Sequence, residues 1–296
     1  MTDITILTDD RYINPKKDWY TEQVIIEDEL LKQNLTSLGL KVNRKSWSDK
    51  SYKWEDTKFA IFRTTWDYFD RYDEFFKWIE KTKMKTKFIN SEEIIKWNID
   101  KKYLIELEKK GINIAPTILI KNTEKINLKQ LFHTTKWKEA VIKPAISGAA
   151  KNTYRVNKEN YTEYEKKFND LIKEESMLFQ EFLDDILKNG EISLILIEGK
   201  YTHSIKKIAK KGDFRVQDDH GGKVVNYNAT QGEINFAKKC LKATDYIPIY
   251  ARVDIIYDND NKPSLSELEL IEPELWFRNY PQAAKLLAES IYNKYF

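Results

Sequence analysis

Near residue 90 the pattern of apolar runs in this 296-residue chain changes from strand–helix alternation to strands that come in pairs. That change restricts the fold more than any composition does. Before it, residues 2–7 read as a strand. Residues 21–38 read as a helix with Val24, Leu31, Leu35 and Leu38 on one stripe, closed by Gly39. Residues 40–47 and 59–63 read as further strands, and residues 70–83 as a second amphipathic helix through Tyr72, Phe75, Phe76 and Ile79. Strands separated by helices pair in parallel, so residues 1–90 are expected to form an α/β unit on a parallel sheet. No GxGxxG follows the first strand, so a dinucleotide fold gains no support.

After residue 90, two short helices (91–97 and 100–110) end at Gly111, and strands then pair across short turns. Residues 140–143 face 153–156, 192–197 face 201–206 across Glu198 and Gly199, and 252–257 face 264–270 across the turn 258–262. Helices are expected at 161–173, 231–244 and 281–295. This is an α+β arrangement, distinct from the N-terminal unit. Composition removes several alternatives. Cys240 is the only cysteine, so a disulfide framework and a thiolate metal cluster are excluded. His133, His203 and His220 lack the spacing of a zinc helix. The 50 basic and 47 acidic residues alternate along the chain, which reads as solvated surface and not as a nucleic-acid interface. Neither a signal peptide nor an apolar run long enough for a bilayer is visible, so a cytoplasmic protein with no membrane partner is expected.

The stretch 251–273 (ARVDIIYDNDNKPSLSELELIEP) carries the sharpest chemistry. If 258–262 turns a hairpin, Asp254 falls opposite Glu267, and Glu267 and Glu269 share one strand face. Three converging carboxylates repel unless a cation sits among them, and all-oxygen ligation suits Mg²⁺ or Mn²⁺. Taken alone, the same glutamates read more readily as decoration on a solvent-facing strand. A calcium loop through Asp258, Asp260 and Glu269 fails because Lys262 and Pro263 occupy a ligand position and the turn glycine.

Three further segments carry candidates. In 141–156 a strand ends at Lys143, and the small residues Ser147, Gly148, Ala149 and Ala150 would let backbone N–H groups approach phosphate oxygens. The basic run 206–222 surrounds a Gly-Asp turn and reads as a solvated loop or as an anion-binding lid led by Arg215. Arg63 closes a parallel strand, where a substrate carboxylate is commonly received.

The order lysine, small-residue loop, acidic hinge, basic loop, carboxylate hairpin resembles the ATP-grasp superfamily, in the branch of prokaryotic glutathione synthetase and the ribosomal-protein glutamate ligases. The resemblance covers residues 89–296, and the N-terminal unit looks like the small α/β domain that precedes the grasp there. It implies a fold of an α/β N-terminal domain (1–90) followed by an α+β grasp of two subdomains, a central or lid part (91–178) and a C-terminal part (179–296). By the same resemblance Lys101 and Lys143 reach the nucleotide, and Ser147, Gly148 and Ala149 cover its phosphates. LFQEFL makes Gln180, Glu181, Phe182 and Leu183 the adenine hinge, with Glu191 near ribose or phosphate. KKGDFRVQDDHGG makes Arg215 the catalytic arginine, with Lys207 reaching the terminal phosphate and Gly221 and Gly222 beside the substrate. SELELIEP assigns magnesium to Asp254, Glu267 and Glu269.

Three departures narrow the branch: Glu269 where asparagine is usual, Ser193 where glutathione synthetases carry a substrate arginine, and Gln217 after the catalytic arginine. With RTTWDY they make the chain look closer to the cyclo-ligase of D-cycloserine biosynthesis and its relatives. The implied activity is ATP-dependent carboxylate–amine ligation through an acyl phosphate, with ATP and two Mg²⁺ or Mn²⁺ ions. Its implied partners are a small carboxylate and an amine, with a homo-oligomer, dimer or tetramer, as the expected state. A small-molecule kinase and a non-catalytic nucleotide-binding module are the alternatives.

Overall fold

A parallel strand covered on both sides needs apolar residues on both faces, and β1 (Thr2–Thr8) is buried at every position from Ile4 onward. β3 (Thr57–Thr64) is buried at all positions but Lys58. With β2 (Val42–Ser46) and β4 (Lys87–Ile89) they form a four-stranded sheet of order β2-β1-β3-β4, parallel throughout. The molecule is described by a computed structural model over residues 1–216 and 221–296. α1 (Trp19–Ser37) starts on a capping box between Asp18 and Thr21. α2 (Tyr72–Thr82) turns Phe75 and Ile79 inward, while Phe76, expected on the same face, is exposed.

α3 (Glu92–Asn98) and α4 (Tyr103–Lys109) lead into a second, antiparallel sheet of order β5-β8-β6-β7. Its strands are β5 (Thr117–Ile120), β6 (Glu139–Pro144), β7 (Tyr154–Asn157) and β8 (Met177–Glu181). α5 (Leu128–Thr135) and α6 (Tyr161–Glu174) pack on it through Leu131, Phe132 and Phe168 against Ile142 and Phe179. The division expected after residue 178 falls inside β8, whose five residues all stay in this sheet.

The third sheet has the order β11-β10-β9-β12-β13. It is built from β9 (Glu191–Ile197), β10 (Lys200–Ile208), β11 (Lys223–Tyr227), β12 (Tyr250–Tyr257) and β13 (Pro263–Glu269). β9 and β10 turn at Glu198 and Gly199, both at positive φ (48° and 72°), as a tight two-residue hairpin requires. β9 is central and buried at every residue: Leu194 and Leu196 join the core under α4 and α8 (Gln231–Ala243), and Ile195 and Ile197 join that of the first sheet. α7 (Asp185–Asn189) links the hinge to β9. α9 (Gln282–Tyr295) returns to lie against α1, its Leu287 and Ile291 sharing one core with Ile4, Ile6 and Leu35. Among the described residues no helix is long and apolar enough to cross a membrane.

Candidate active site

The expected hairpin forms with the expected register: Asp254 pairs with Glu267, and Arg252 with Glu269. Asp254, Glu267 and Glu269 each offer an oxygen within 4.8 Å of the others. Glu267 and Glu269 line a cavity of about 370 Å³, and Asp254 lies behind them, fully buried.

Lysines reach this cluster from three elements. Lys207, on β10, places Nζ 2.9 Å from Asp254 Oδ2 and 2.5 Å from Glu191 Oε2. Lys101 Nζ lies 3.3 Å from Glu267 Oε1 and also donates to the Ser147 carbonyl. Lys143, at the end of β6, lines the same cavity. Burial pushes the Lys143 ammonium below its ordinary range, Glu267 opposing the shift and Lys101 adding to it. Burial alone would raise Asp254, but the charges of Arg252 and Lys207 outweigh it and hold the carboxyl at about 2. Glu269 goes the other way. Burial, with repulsion from Glu267 and Asp254, lifts it well above the carboxylate range despite Arg252. Like charges held this close are what a divalent cation relieves, and an all-oxygen donor set fits Mg²⁺ or Mn²⁺.

The small-residue loop closes over the cavity. Ser147, Gly148, Ala149 and Ala150 line it, and a Cβ on Gly148 would meet Phe69 Cε1 at 2.4 Å, so only glycine allows that approach. The neighbouring Lys151 pairs with Asp70, which ties the loop to the first unit.

The hinge residues Gln180, Glu181, Phe182 and Leu183 line the opposite end. Gln180 Nε2 donates to Thr117 Oγ1 at 2.8 Å, and the Arg155 guanidinium stacks 4.0 Å from the Phe182 ring centroid. Leu183, Ile256 and Ala115 make this end apolar, a surface suited to a planar base. Arg215 lines the cavity and forks onto Asp213, with Nη2–Oδ2 at 2.7 Å. Gln217 and His220 lie outside the described residues.

Two expectations fail on position. Arg63 does not face the cavity. It is 1% exposed, its Nη2 sits 3.1 Å from Glu27 Oε1, and its guanidinium stacks between the rings of Tyr250 and Phe277. The strand end that should present it is capped by α1 and by the segment before α9, so its charge is spent on Glu27. Gly221 and Gly222 also lie outside the cavity wall, at the run into β11, an edge strand, with the Lys210 side chain beside Gly221.

Other residues line the site: Arg252, Arg11, Glu272 and Trp276 were passed over in the sequence, and Trp66 entered there only as part of RTTWDY. Arg252 donates to Asp254 through Nε (3.0 Å) and Nη2 (2.9 Å), and also to Glu269, bridging the cluster. Its signal was available: two residues before Asp254 on one strand, it must share that face. Arg11, Trp66, Glu272 and Trp276 complete the wall toward the first sheet. Arg11 and Trp66 follow the carboxyl ends of β1 and β3, where the strand order reverses and open α/β sheets take their ligands.

The whole chain superposes on solved ATP-grasp structures. The crystal structure of D-cycloserine synthetase DcsG matches with a TM-score of 0.87 at 20% identity, over 98% of this chain and 99% of that one. D-alanine–D-alanine ligase from Bacillus anthracis gives 0.68 at 17%, covering 99% and 97%. A RimK domain ATP-grasp protein from Sphaerobacter thermophilus gives 0.67 at 12%, covering 97% and 98%. These define the class, an ATP-grasp architecture behind a parallel-sheet domain. Residues 100–270 match the RimK-like ATP-grasp domain model, and the chain belongs to that family of ATP-binding ligases. Residues 4–90 match the model for the N-terminal domain of D-cycloserine synthetase DcsG. The cycloserine biosynthesis protein DcsG of Streptomyces lavendulae is 24% identical over 259 residues, 81% of this chain and 84% of that protein.

Proposed function

We propose that this ligase activates a small carboxylate as an acyl phosphate at the expense of ATP and passes the acyl group to an amine, forming a peptide-like or cyclic amide. The observation that carries the reading is the convergence of Asp254, Glu267 and Glu269 within 4.8 Å beside Lys101, Lys143 and Lys207. Lys101 and Lys143 would hold the triphosphate under the Ser147–Gly148–Ala149 loop, with the base against the hinge 180–183. Asp254, Glu267 and Glu269 would hold two Mg²⁺ ions, which when bound neutralise phosphate charge.

The substrate carboxylate displaces ADP from the γ-phosphorus, and the amine then displaces phosphate from the acyl carbon. Arg215, released from Asp213, and Lys207 would stabilise charge on the transferred phosphoryl and on the tetrahedral oxyanion. The closed loop excludes water that would hydrolyse the acyl phosphate. The likeness to cycloserine synthetase supports a small amino-acid-like substrate. The division near residues 90 and 181, cytoplasmic residence, no nucleic-acid partner and a symmetric homo-oligomer belong to the same proposal.

The deciding experiment is ADP release over paired amino acids and small carboxylic acids, with hydroxylamine as a trap. A hydroxamate is expected. A stable phosphoester instead makes the protein a kinase, and no ADP with any substrate makes it a non-catalytic binder. Loss of water from a single substrate marks ring closure.

A further inference from the structure

The strand that carries Glu267 and Glu269 is the last of its sheet, with β12 on one side only. An edge strand leaves every second residue with its N–H and C=O turned away from the sheet, and buried groups of that kind need partners. At Leu265 the partner is backbone, its N–H donating to the Asn113 carbonyl at 2.9 Å. At Leu268 and Leu270 side chains take over. The Leu268 N–H donates to the Tyr103 hydroxyl at 3.0 Å, and the Leu268 carbonyl accepts from Asn98 Nδ2 at 2.8 Å. The Leu270 N–H donates to Asn98 Oδ1 at 2.8 Å, and the Leu270 carbonyl accepts from Asn90 Nδ2 at 2.9 Å. Asn90, Asn98 and Tyr103 are all buried.

One amide therefore spans Leu268 to Leu270 as a residue of a neighbouring strand would, and the residue it brackets is Glu269. The segment that supplies it also carries a nucleotide lysine. Asn98 ends α3, Tyr103 opens α4, and between them Lys101 places Nζ 3.3 Å from Glu267 Oε1. The Lys101 N–H donates to the Ala145 carbonyl at 2.8 Å, at the root of the small-residue loop. We propose that Asn98, seconded by Tyr103, is a positioning residue of the metal site: it fixes the two glutamates of β13 against the lysine and the loop that hold the triphosphate. The inference rests on the ligase reading, in which Glu267 and Glu269 hold Mg²⁺, and adds the residue that sets the spacing of metal and phosphate. Mg²⁺ demands octahedral ligands at about 2.0–2.1 Å, whereas Ca²⁺ accepts variable geometry at about 2.3–2.6 Å, so a loosened strand costs Mg²⁺ more than Ca²⁺.

The test is metal binding and does not depend on turnover. Full-length protein with a non-hydrolysable ATP analogue is titrated with Mn²⁺, followed by electron paramagnetic resonance, and Mg²⁺ or Ca²⁺ then competes. Asn98→Ala should weaken Mg²⁺ about tenfold or more, as for loss of a group that orients metal ligands, and Ca²⁺ by less than about threefold. Tyr103→Phe, which removes a single acceptor, should shift the two ions in the same sense by a smaller factor, and it decides the matter if Asn98→Ala does not fold. Leu287→Ala, a cavity in the core shared by α1 and α9, controls for lost stability and should leave the Mg²⁺ to Ca²⁺ ratio unchanged. Equal loss of both ions in the Asn98 and Tyr103 variants, or unchanged Mg²⁺ affinity in both, overturns the positioning role alone. A parent that binds no Mn²⁺ with the analogue overturns the ligase reading, and this inference with it.

Discussion

Two charge networks, one sealed and one open to a cavity, serve opposite purposes in this molecule. At the joint between the first sheet and the segment before α9, Arg63 meets Glu27, and the Glu27 oxygens accept the N–H groups of Leu275 and Phe277, each at 2.7 Å. Tyr250 and Phe277 close over the guanidinium, and this pair does not line the cavity. In the cavity Lys207, Asp254, Arg252 and Glu269 also pair, but Glu267, Glu269 and Glu272 face open space; burial raises Glu269 and Glu272 there as it raises Glu27 at the joint to about 7, so openness and not titration tells the two apart. The joint balances its charge internally and is closed. The cavity leaves charge for ligands to balance, which separates a structural ion pair from a binding site more reliably than burial does.

Exchanging the two arginines for methionine breaks the comparison most directly. Arg252→Met should lower kcat about a hundred- to a thousandfold, because Asp254 and Glu269 lose the group that bridges them, and should cost some stability, held down because Lys207 still pairs with Asp254. Arg63→Met should cost more, about 3–5 kcal/mol of stability because Glu27 is left buried without its partner, while the folded fraction keeps its kcat. Equal effects on both readouts in both variants would erase the distinction. A subtler probe is His203, whose Nε2 donates to the Leu275 carbonyl at 3.0 Å and thereby clamps the residue that Glu27 holds by its N–H. Burial holds the ring at about 4 against an ordinary 6.5. Its contribution is complete above pH 6.5. As pH falls toward 4, the unfolded chain takes up a proton that the folded one refuses, and stability drops. His203→Gln should flatten urea midpoints over that window. The smallest effect is expected at the surface, where Lys151→Ala removes the pair with Asp70, both about half exposed, and should change stability by less than about 1 kcal/mol.

The carboxylate hairpin was legible because turn length and the two-residue period fix which side chains meet across it, and neither depends on distant chain. Arg63 was not, because its destination depends on Glu27 from α1 and Phe277 from beyond β13, contacts across 36 and 214 positions. Strands β5 and β11 went unseen for a similar reason. Thr117–Ile120 is only four residues long, and Lys223–Tyr227 is a polar edge strand defined by its pairing with β10. Helix α5 is different: its capping box, Asn127 with Gln130, was written in the sequence and passed over. Glu272 lies past the end of β13, where period two no longer says which way a side chain points.

The packing of α9 on α1 sets an order of events during synthesis. Ile4, Ile6 and Leu35 are made in the first eighth of the chain, yet the surface that covers them includes Leu287 and Ile291. The opening sheet therefore leaves the ribosome with one flank bare and keeps it so until the last helix emerges. Domain-by-domain folding is closed to this chain at its very first domain, and truncation within residues 282–295 should be felt some 280 positions upstream.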